Sequence, residues 1–342
     1  MIDTKDISVV VQGAVGDTTK QCLKSIREFL PGAEIILSTW AGTNVDGCDY
    51  DDVIFNKDPG ALSYTDKKIS KLNNINRQIV STIASIKKSN RKYVLKFRPD
   101  FILKNNDFLK YFDLYGKNAG DEYKIFQHKI LTCTNFTRAS SALNGRLLFH
   151  PSDMILFGLR DDLLNLFDIP QQTNFENDKI IIDKVKQLKY VPEQYLWISC
   201  LRKNGHVINY DGRPNNNTEL WEKSEKYLVS NFIPISWANF GLIPPIKFYN
   251  FYENDYFTII TQIEYIALYN KYCDDNLDIP FDELRYLLNK YKNDKIANFM
   301  SRIVVLPLFF TRYYRQIVRK KTRKFLHNLF LYKSREKIID LL

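Results

Sequence analysis

The chain has 342 residues, of which 45% are hydrophobic and 26% charged, and it carries a net charge of +10 at pH 7. Those proportions belong to a folded globular chain and exclude a disordered one, and the length accommodates one large domain with an appendage or two domains. Cys22, Cys48, Cys133, Cys200 and Cys273 are odd in number and far apart, with no CxxC pair or Cys/His cluster. Neither a zinc site nor a disulfide framework is indicated, and reduced thiols in a cytoplasmic protein fit best.

No basic stretch followed by an apolar run opens the chain, so no secretory signal is expected. No uninterrupted apolar segment approaches the ~20 residues that span a bilayer. The basicity is local. Ten basic residues and a single acid, Glu336, fall between Thr311 and Lys337, so that stretch accounts for +9 of the +10.

In chain order, the β-branched run at 7–11 predicts a first strand that turns at Gln12-Gly13. Cys22, Ile26 and Phe29 have helical spacing over 18–29, and Pro31-Gly32 stops that helix. Strands are expected at 34–38 and 52–55, then a turn at Asp58-Pro59-Gly60. Ile75, Ile79, Ile83 and Ile86 predict an amphipathic helix ending near Lys87 and Lys88, where the helix dipole favours cations. Tyr93-Val94-Leu95 predicts a buried strand. This alternation indicates a mostly parallel α/β sheet. Further on, strands are expected at 124–132, 153–158 and 205–208, and helices at 160–167, 192–203, 256–272 and 280–292.

The strand at 93–95 leads into Arg98-Pro99-Asp100 at its carboxyl end, where open α/β sheets place their ligand crevices. An Arg and an Asp side by side there suit a phosphorylated ligand; the alternative is an ordinary surface ion pair.

Six stretches, in this order, resemble the GT-A type of nucleotide-sugar glycosyltransferases and most closely the WavE lipopolysaccharide synthesis family. They are VVVQGAV at 9–15, CLKSIREFLPGAEIILSTWAG at 22–42, NKDPG at 56–60, NINRQIVST at 74–82, LKFRPDFIL at 95–103 and PEQYLW at 192–197. The resemblance covers about residues 7–241. It implies a GT-A-like sheet flanked by helices, binding a nucleotide-sugar donor at its strand ends. The GT-A pattern has an Arg–Asn pair opening a helix and then an Asp-x-Asp that carries a divalent metal. Arg77-Gln78 takes the first place here and Arg98-Pro99-Asp100 the second, so Arg98 replaces the first Asp.

The resemblance further implies nucleoside contacts at Gln12 and Gly13, for which a plain strand-to-helix turn is the alternative. Asp58 is a candidate for the base or ribose, or a turn-forming Asp before Pro59. The leaving diphosphate needs its charge stabilised. Either Asp100 holds Mg2+ or Mn2+, completed by phosphates and water, or Arg98 and Arg77 neutralise the diphosphate directly. Glu193 occupies the place of an inverting enzyme's general base, although the dipole alone favours a Glu early in a helix. Asp153, next to His150, is the other candidate base or acceptor ligand. His206 reads more readily as a surface histidine than as a metal or phosphate contact.

The expected organisation is a catalytic domain at 1–245, a helical extension at 246–300 and a basic amphipathic tail at 301–342. In the tail, Phe309, Phe310, Phe325 and Leu329 beside Lys and Arg suit an interfacial helix on anionic lipid rather than a nucleic-acid arm; a packed helical hairpin is the rival. The functional expectation is a glycosyltransferase acting on a lipid-linked bacterial surface glycan, of lipopolysaccharide or capsule. It would lie on the cytoplasmic face of the inner membrane and bind no nucleic acid. The rivals are a non-catalytic polysaccharide-assembly protein, to which Arg98 points, and a sugar-nucleotide pyrophosphorylase. The latter ranks low because the first loop lacks a Gly-rich, basic phosphate signature.

Overall fold

The computed structural model describes residues 2–66, 69–138, 147–172, 179–182, 185–212, 217–248 and 259–275, without the side chains of 63–71 and 179–188. Two compact units divide the chain, one of Met1–Ile180 with Lys186–Asp275, the other of Ile181–Val185 with Asn276–Leu342. The architecture below is that of the first. The expected helix at 280–292 and the basic tail lie outside the described residues.

β1 (Ile7–Gln12) is buried at all six positions. It pairs in parallel with β2 (Glu34–Trp40) on one side and β6 (Tyr93–Phe97) on the other. A strand so enclosed needs apolar side chains on both faces, hence the unbroken valines rather than an alternation. β3 (Asp52–Asn56) extends the parallel edge beyond β2. β4 (Leu62–Asp66) and β5 (Ile69–Asn73) form a separate antiparallel ribbon.

Past β6 the sheet continues through β9 (Leu156–Leu159), β8 (Ile130–Cys133) and β12 (Phe232–Ile235), giving the order β3–β2–β1–β6–β9–β8–β12. β9 runs antiparallel to both neighbours, with Lys96 opposite Leu156 and Leu131 opposite Phe157, while β12 is parallel to β8. The sheet is therefore mostly parallel and flanked by helices, the α/β architecture expected. The short β7 (Ile102–Leu103) pairs instead with β13 (Leu242–Ile243), outside the main sheet. Among the described residues β10 (Lys179–Ile182) and β11 (Val185–Leu188) form a further two-stranded sheet, of which Ile181, Ile182 and Val185 belong to the second unit.

α1 (Thr19–Phe29) buries Cys22, Leu23 and Ile26. α2 (Ile75–Lys88) lies against β1, β2 and β3 through Ile75, Ile79 and Ile86. Each of those isoleucines contributes about 1.5–3 kcal/mol by burial. Between them stand buried Ser81 and Ser85, whose hydroxyls turn back onto the Arg77 and Ser81 carbonyls at 2.8 and 2.9 Å, so small polar residues sit close to the sheet without unmet hydrogen bonds. α3 (Arg160–Phe167) and α4 (Pro192–Lys203) have the predicted bounds. α5 (Thr218–Asn231) opens on Asn217, whose side chain accepts from the Leu220 amide. α6 (Gln262–Tyr272) starts on a Thr261/Glu264 capping box.

Four expectations are corrected. The strand at 124–132 shrinks to β8, because 121–129 form a 3-10 turn and loop. The strand at 153–158 begins only at Leu156. Residues 205–208 form no strand; their run is a loop after α4, with His206 Nδ1 2.8 Å from the Tyr227 hydroxyl. The helix at 256–272 begins at Gln262, and residues 249–258 are outside the description. The first unit also takes in described residues past 245: Tyr265 is fully buried, and the Lys117 amide donates to the Tyr269 hydroxyl at 2.8 Å.

Candidate active site

One edge of the sheet gathers the chemistry. Parallel β1, β2 and β6 deliver Gln12-Gly13, Trp40 and Arg98-Pro99-Asp100 at their carboxyl ends. Because β9 runs the other way, the residues that precede it, Asp153 and Met154, reach that same edge. The first turns of α2 and α4 add Asn74, Arg77 and Gln78, then Pro192 and Glu193. All of these line a cleft of about 590 Å3, in the range that holds small-molecule ligands. Of the residues expected to act, Gln12, Gly13, Arg77, Arg98, Asp100, Asp153 and Glu193 line it, while Asp58 reaches it through Arg77 and His206 does not line it.

Gln12 is held from behind, its side-chain oxygen 2.9 Å from the Ser81 hydroxyl of α2. Gly13 has φ +130, and its amide donates to the Ser38 carbonyl at 2.9 Å, so the backbone leaves β1 in a conformation that L side chains rarely adopt. Asp58 does two things. It accepts the Gly60 amide, as a turn-forming Asp does, and grips Arg77 with both oxygens at 2.8 and 2.6 Å. Asn74 bonds a third Arg77 nitrogen at 3.1 Å, which fixes the guanidinium in the cleft.

Arg98 and Asp100 form a forked pair, Nε to Oδ1 at 2.9 Å and Nη2 to Oδ2 at 2.8 Å. Lys247 adds its ammonium at 2.9 Å from Asp100 Oδ2. Burial opposes ionisation of Asp100, but Arg98 and Lys247 outweigh it and hold the carboxyl below the usual range. This bears on the metal expectation. Mg2+ or Mn2+ needs carboxylate oxygens free to face it, and both oxygens of Asp100 already serve cations, with Arg98 in the place of a second carboxylate. The donor set around Asp100 does not fit a divalent cation.

Across the cleft the carboxylates are of another kind. Glu193 is 16% exposed and its pKa is pushed up to about 8, by burial first and then by the charge of Asp153. The dipole of α4 pulls the other way, but its ~0.3–1 kcal/mol is less than one pKa unit. His150 Nε2 lies 3.7 Å from Glu193 Oε2, and burial and then Arg138 push the imidazole down to about 3. At neutral pH that approach therefore joins an uncharged imidazole and a mostly protonated carboxyl, and is no ion pair.

Three residues of this region escaped the sequence reading. Lys96, fully buried inside β6, donates to the carbonyls of Asp153 and of Met154, the latter at 3.3 Å, and so ties the turn that carries Asp153 to the strand that carries Arg98. A lone Lys between Leu95 and Phe97 was the available signal. Phe136 lines the cleft at φ +70, a left-handed conformation that costs a bulky residue about 1–3 kcal/mol. Lys247 had no sequence signal, because only the fold brings it to Asp100.

Fold and cleft together define an α/β protein with its ligand site at the carboxyl edge of a mostly parallel sheet. The family model for WavE lipopolysaccharide synthesis matches residues 7–305, and the chain belongs to that family. No curated protein sequence matches it significantly. Among solved structures it is similar to a Drosophila beta-1,4-galactosyltransferase 7 mutant in complex with manganese, UDP-Gal and xylobiose, at 9% identity over 62% of this chain and 72% of that one, with a TM-score of 0.27. An active-site mutant of LgtC matches at 10% identity over 70% and 87% of the two chains, TM-score 0.28. S. aureus TarS, residues 1–349 with UDP-GlcNAc, matches at 11% identity over 96% and 91%, TM-score 0.30.

Proposed function

We propose that the protein is a glycosyltransferase that moves a sugar from a nucleotide donor to a lipid-linked bacterial surface glycan. One observation carries this reading: a single cleft gathers the cations Arg77, Arg98 and Lys247 with Glu193, a largely buried carboxyl whose pKa is pushed up to about 8. The cations suit a diphosphate leaving group, and the carboxyl suits a base that must take a proton near pH 7–8. In the direct, inverting form of the reaction, Glu193 takes the proton of an acceptor hydroxyl as that oxygen bonds to the anomeric carbon. The bond from that carbon to the donor phosphate breaks, and the electron pair leaves with the nucleotide, where the fixed cations meet the new charge. Asp153 keeps Glu193 basic enough to act, since its charge opposes a second ionisation beside it. Gln12 and Gly13, which line the cleft at the end of the first strand, take the nucleoside in this reading.

A thermal-shift screen with UDP-, GDP-, CMP- and dTDP-sugars tests the donor half. One base class should raise the melting temperature, and Arg77→Ala should abolish the rise. No shift with any of them would remove the sugar-nucleotide reading.

The acceptor side rests on the family and on the tail. Among the described residues no helix is long and apolar enough to cross a membrane. On its charge and interleaved aromatics, we propose that the tail holds the enzyme on anionic lipid at the cytoplasmic face of the inner membrane, beside a lipid-linked acceptor. Full-length protein should then co-sediment with anionic vesicles, less so as salt rises and screening shortens to a Debye length of ~8 Å at physiological strength. Arg319, Lys320, Lys321, Arg323 and Lys324 replaced together by Gln should release most of it while donor binding stays. Equal sedimentation of both proteins would make the tail a packed appendage.

A further inference from the structure

The residues around Asp100 disagree with the metal-carrying pattern in a way that can be counted in charges. Two aspartates with one divalent ion sum to zero. Here Asp100 with Arg98 and Lys247 sums to +1 before any ion arrives. A divalent cation entering this group would have to displace two cations already within 3 Å of the only carboxylate of the pair.

Lys247 is not a loose surface residue that happens to swing nearby. β7 follows Asp100 almost at once and pairs antiparallel with β13, Leu242 against Leu103 and Ile243 against Ile102, so the chain at 242–248 is carried back alongside the end of β6. The Lys104 amide donates to the Gly241 carbonyl at 2.7 Å. Gly241 has φ +72, and a Cβ there would lie 2.3 Å from Asn105 Oδ1, so the turn into β13 accepts only glycine. Just beyond, the Phe248 ring packs 5.9 Å from Phe101 and 5.8 Å from Phe136, and the Arg98 guanidinium stands 5.4 Å over its centroid. Phe248 thus seats Arg98 and anchors the residue beside it. The ammonium of Lys247 lines the cleft while its side chain remains 60% exposed, so it can turn to a ligand without first being unburied.

We infer that Lys247, with Arg98, occupies the place of the divalent cation, and that the nucleoside diphosphate group of the donor binds this pair of cations directly, without metal. Asp100 is then a positioning residue that holds both cations together when no donor is present. This inference rests on the sugar-nucleotide reading and deepens it, by stating how the diphosphate is held.

The test is calorimetric titration of the full-length protein with UDP, GDP, CDP and dTDP, each in EDTA and again with Mn2+. The nucleotide that binds should do so in EDTA, with an affinity that Mn2+ changes by less than about twofold. Lys247→Ala should weaken it about tenfold or more, in line with the loss of one charged hydrogen bond, and Lys247→Arg should keep it within a few-fold. The matching nucleoside monophosphate should be affected less by Lys247→Ala than the diphosphate, a difference that mere unfolding would not produce. Binding that needs Mn2+, or a Lys247→Ala protein that binds the diphosphate as wild type does, would overturn the inference and leave the sugar-nucleotide reading standing. If none of the four binds under either condition, this inference falls; if CMP fails to bind as well, the sugar-nucleotide reading itself falls with it.

Discussion

Replacing Glu193 by glutamine should lower turnover by about 100-fold or more and leave donor affinity nearly unchanged, because the amide fills the same space but cannot accept a proton from the acceptor hydroxyl. The pH profile separates this role from a structural one. With its pKa pushed up to about 8, Glu193 is mostly protonated at pH 7, and the protonated form is the wrong one for a base. Wild-type kcat/KM should therefore climb as pH rises from about 6.5 through 8 and level off above it, and the Gln variant should lack that limb. Steady-state rates across this range check it. A limb that persists in the variant would move the base to Asp153; a flat wild-type profile would leave Glu193 as a helix-opening residue without a proton to carry.

Arg98→Ala should be nearly as damaging, by a different route. The substitution removes a guanidinium from the diphosphate position and also leaves Asp100 compensated only by Lys247. The carboxylate, no longer paired with the guanidinium, then competes with the anionic donor for Lys247. Donor affinity should fall by about 100-fold, the upper range for a charged, bidentate contact. Removing the offending carboxylate as well should recover part of the loss, so the Arg98→Ala/Asp100→Ala double variant should bind donor better than Arg98→Ala alone. Nucleotide titrations of the three proteins measure this non-additivity. Strictly additive losses would mean that Arg98 and Asp100 meet the ligand independently.

The parallel half of the fold was legible because its signals are local. β-branched runs broken by Gly and Pro marked β1 and β2, and the isoleucine spacing marked α2. The bounds of α3 and α4 followed from periodicity bracketed by turn residues. The direction of β9 was not legible, since an apolar run at 153–158 reads the same whether its partner is parallel or antiparallel. That orientation decides which end of the run faces the cleft, and it is why the residues before the strand, Asp153 among them, reach the cleft. The predicted site residues converge because strand ends of a parallel sheet share an edge, so knowing the strands was enough to collect Gln12, Gly13, Arg98 and Asp100 there. Lys96 and Lys247 depended on tertiary placement. A buried lysine is tolerated only where carbonyls are supplied from another strand's approach, and Lys247 meets Asp100 only because β13 returns to pair with β7.

Transfer itself is the most direct measurement. Purified full-length protein, a lipid-glycan extract and the donor selected by thermal shift should release free nucleotide at a rate that depends on the acceptor, with the donor's sugar appearing on the glycan by mass spectrometry. The Glu193→Gln protein should bind the same donor and release almost none. Donor bound by the wild type but never consumed, with the acceptor present, would contradict the enzyme reading and leave a protein that only holds its sugar nucleotide.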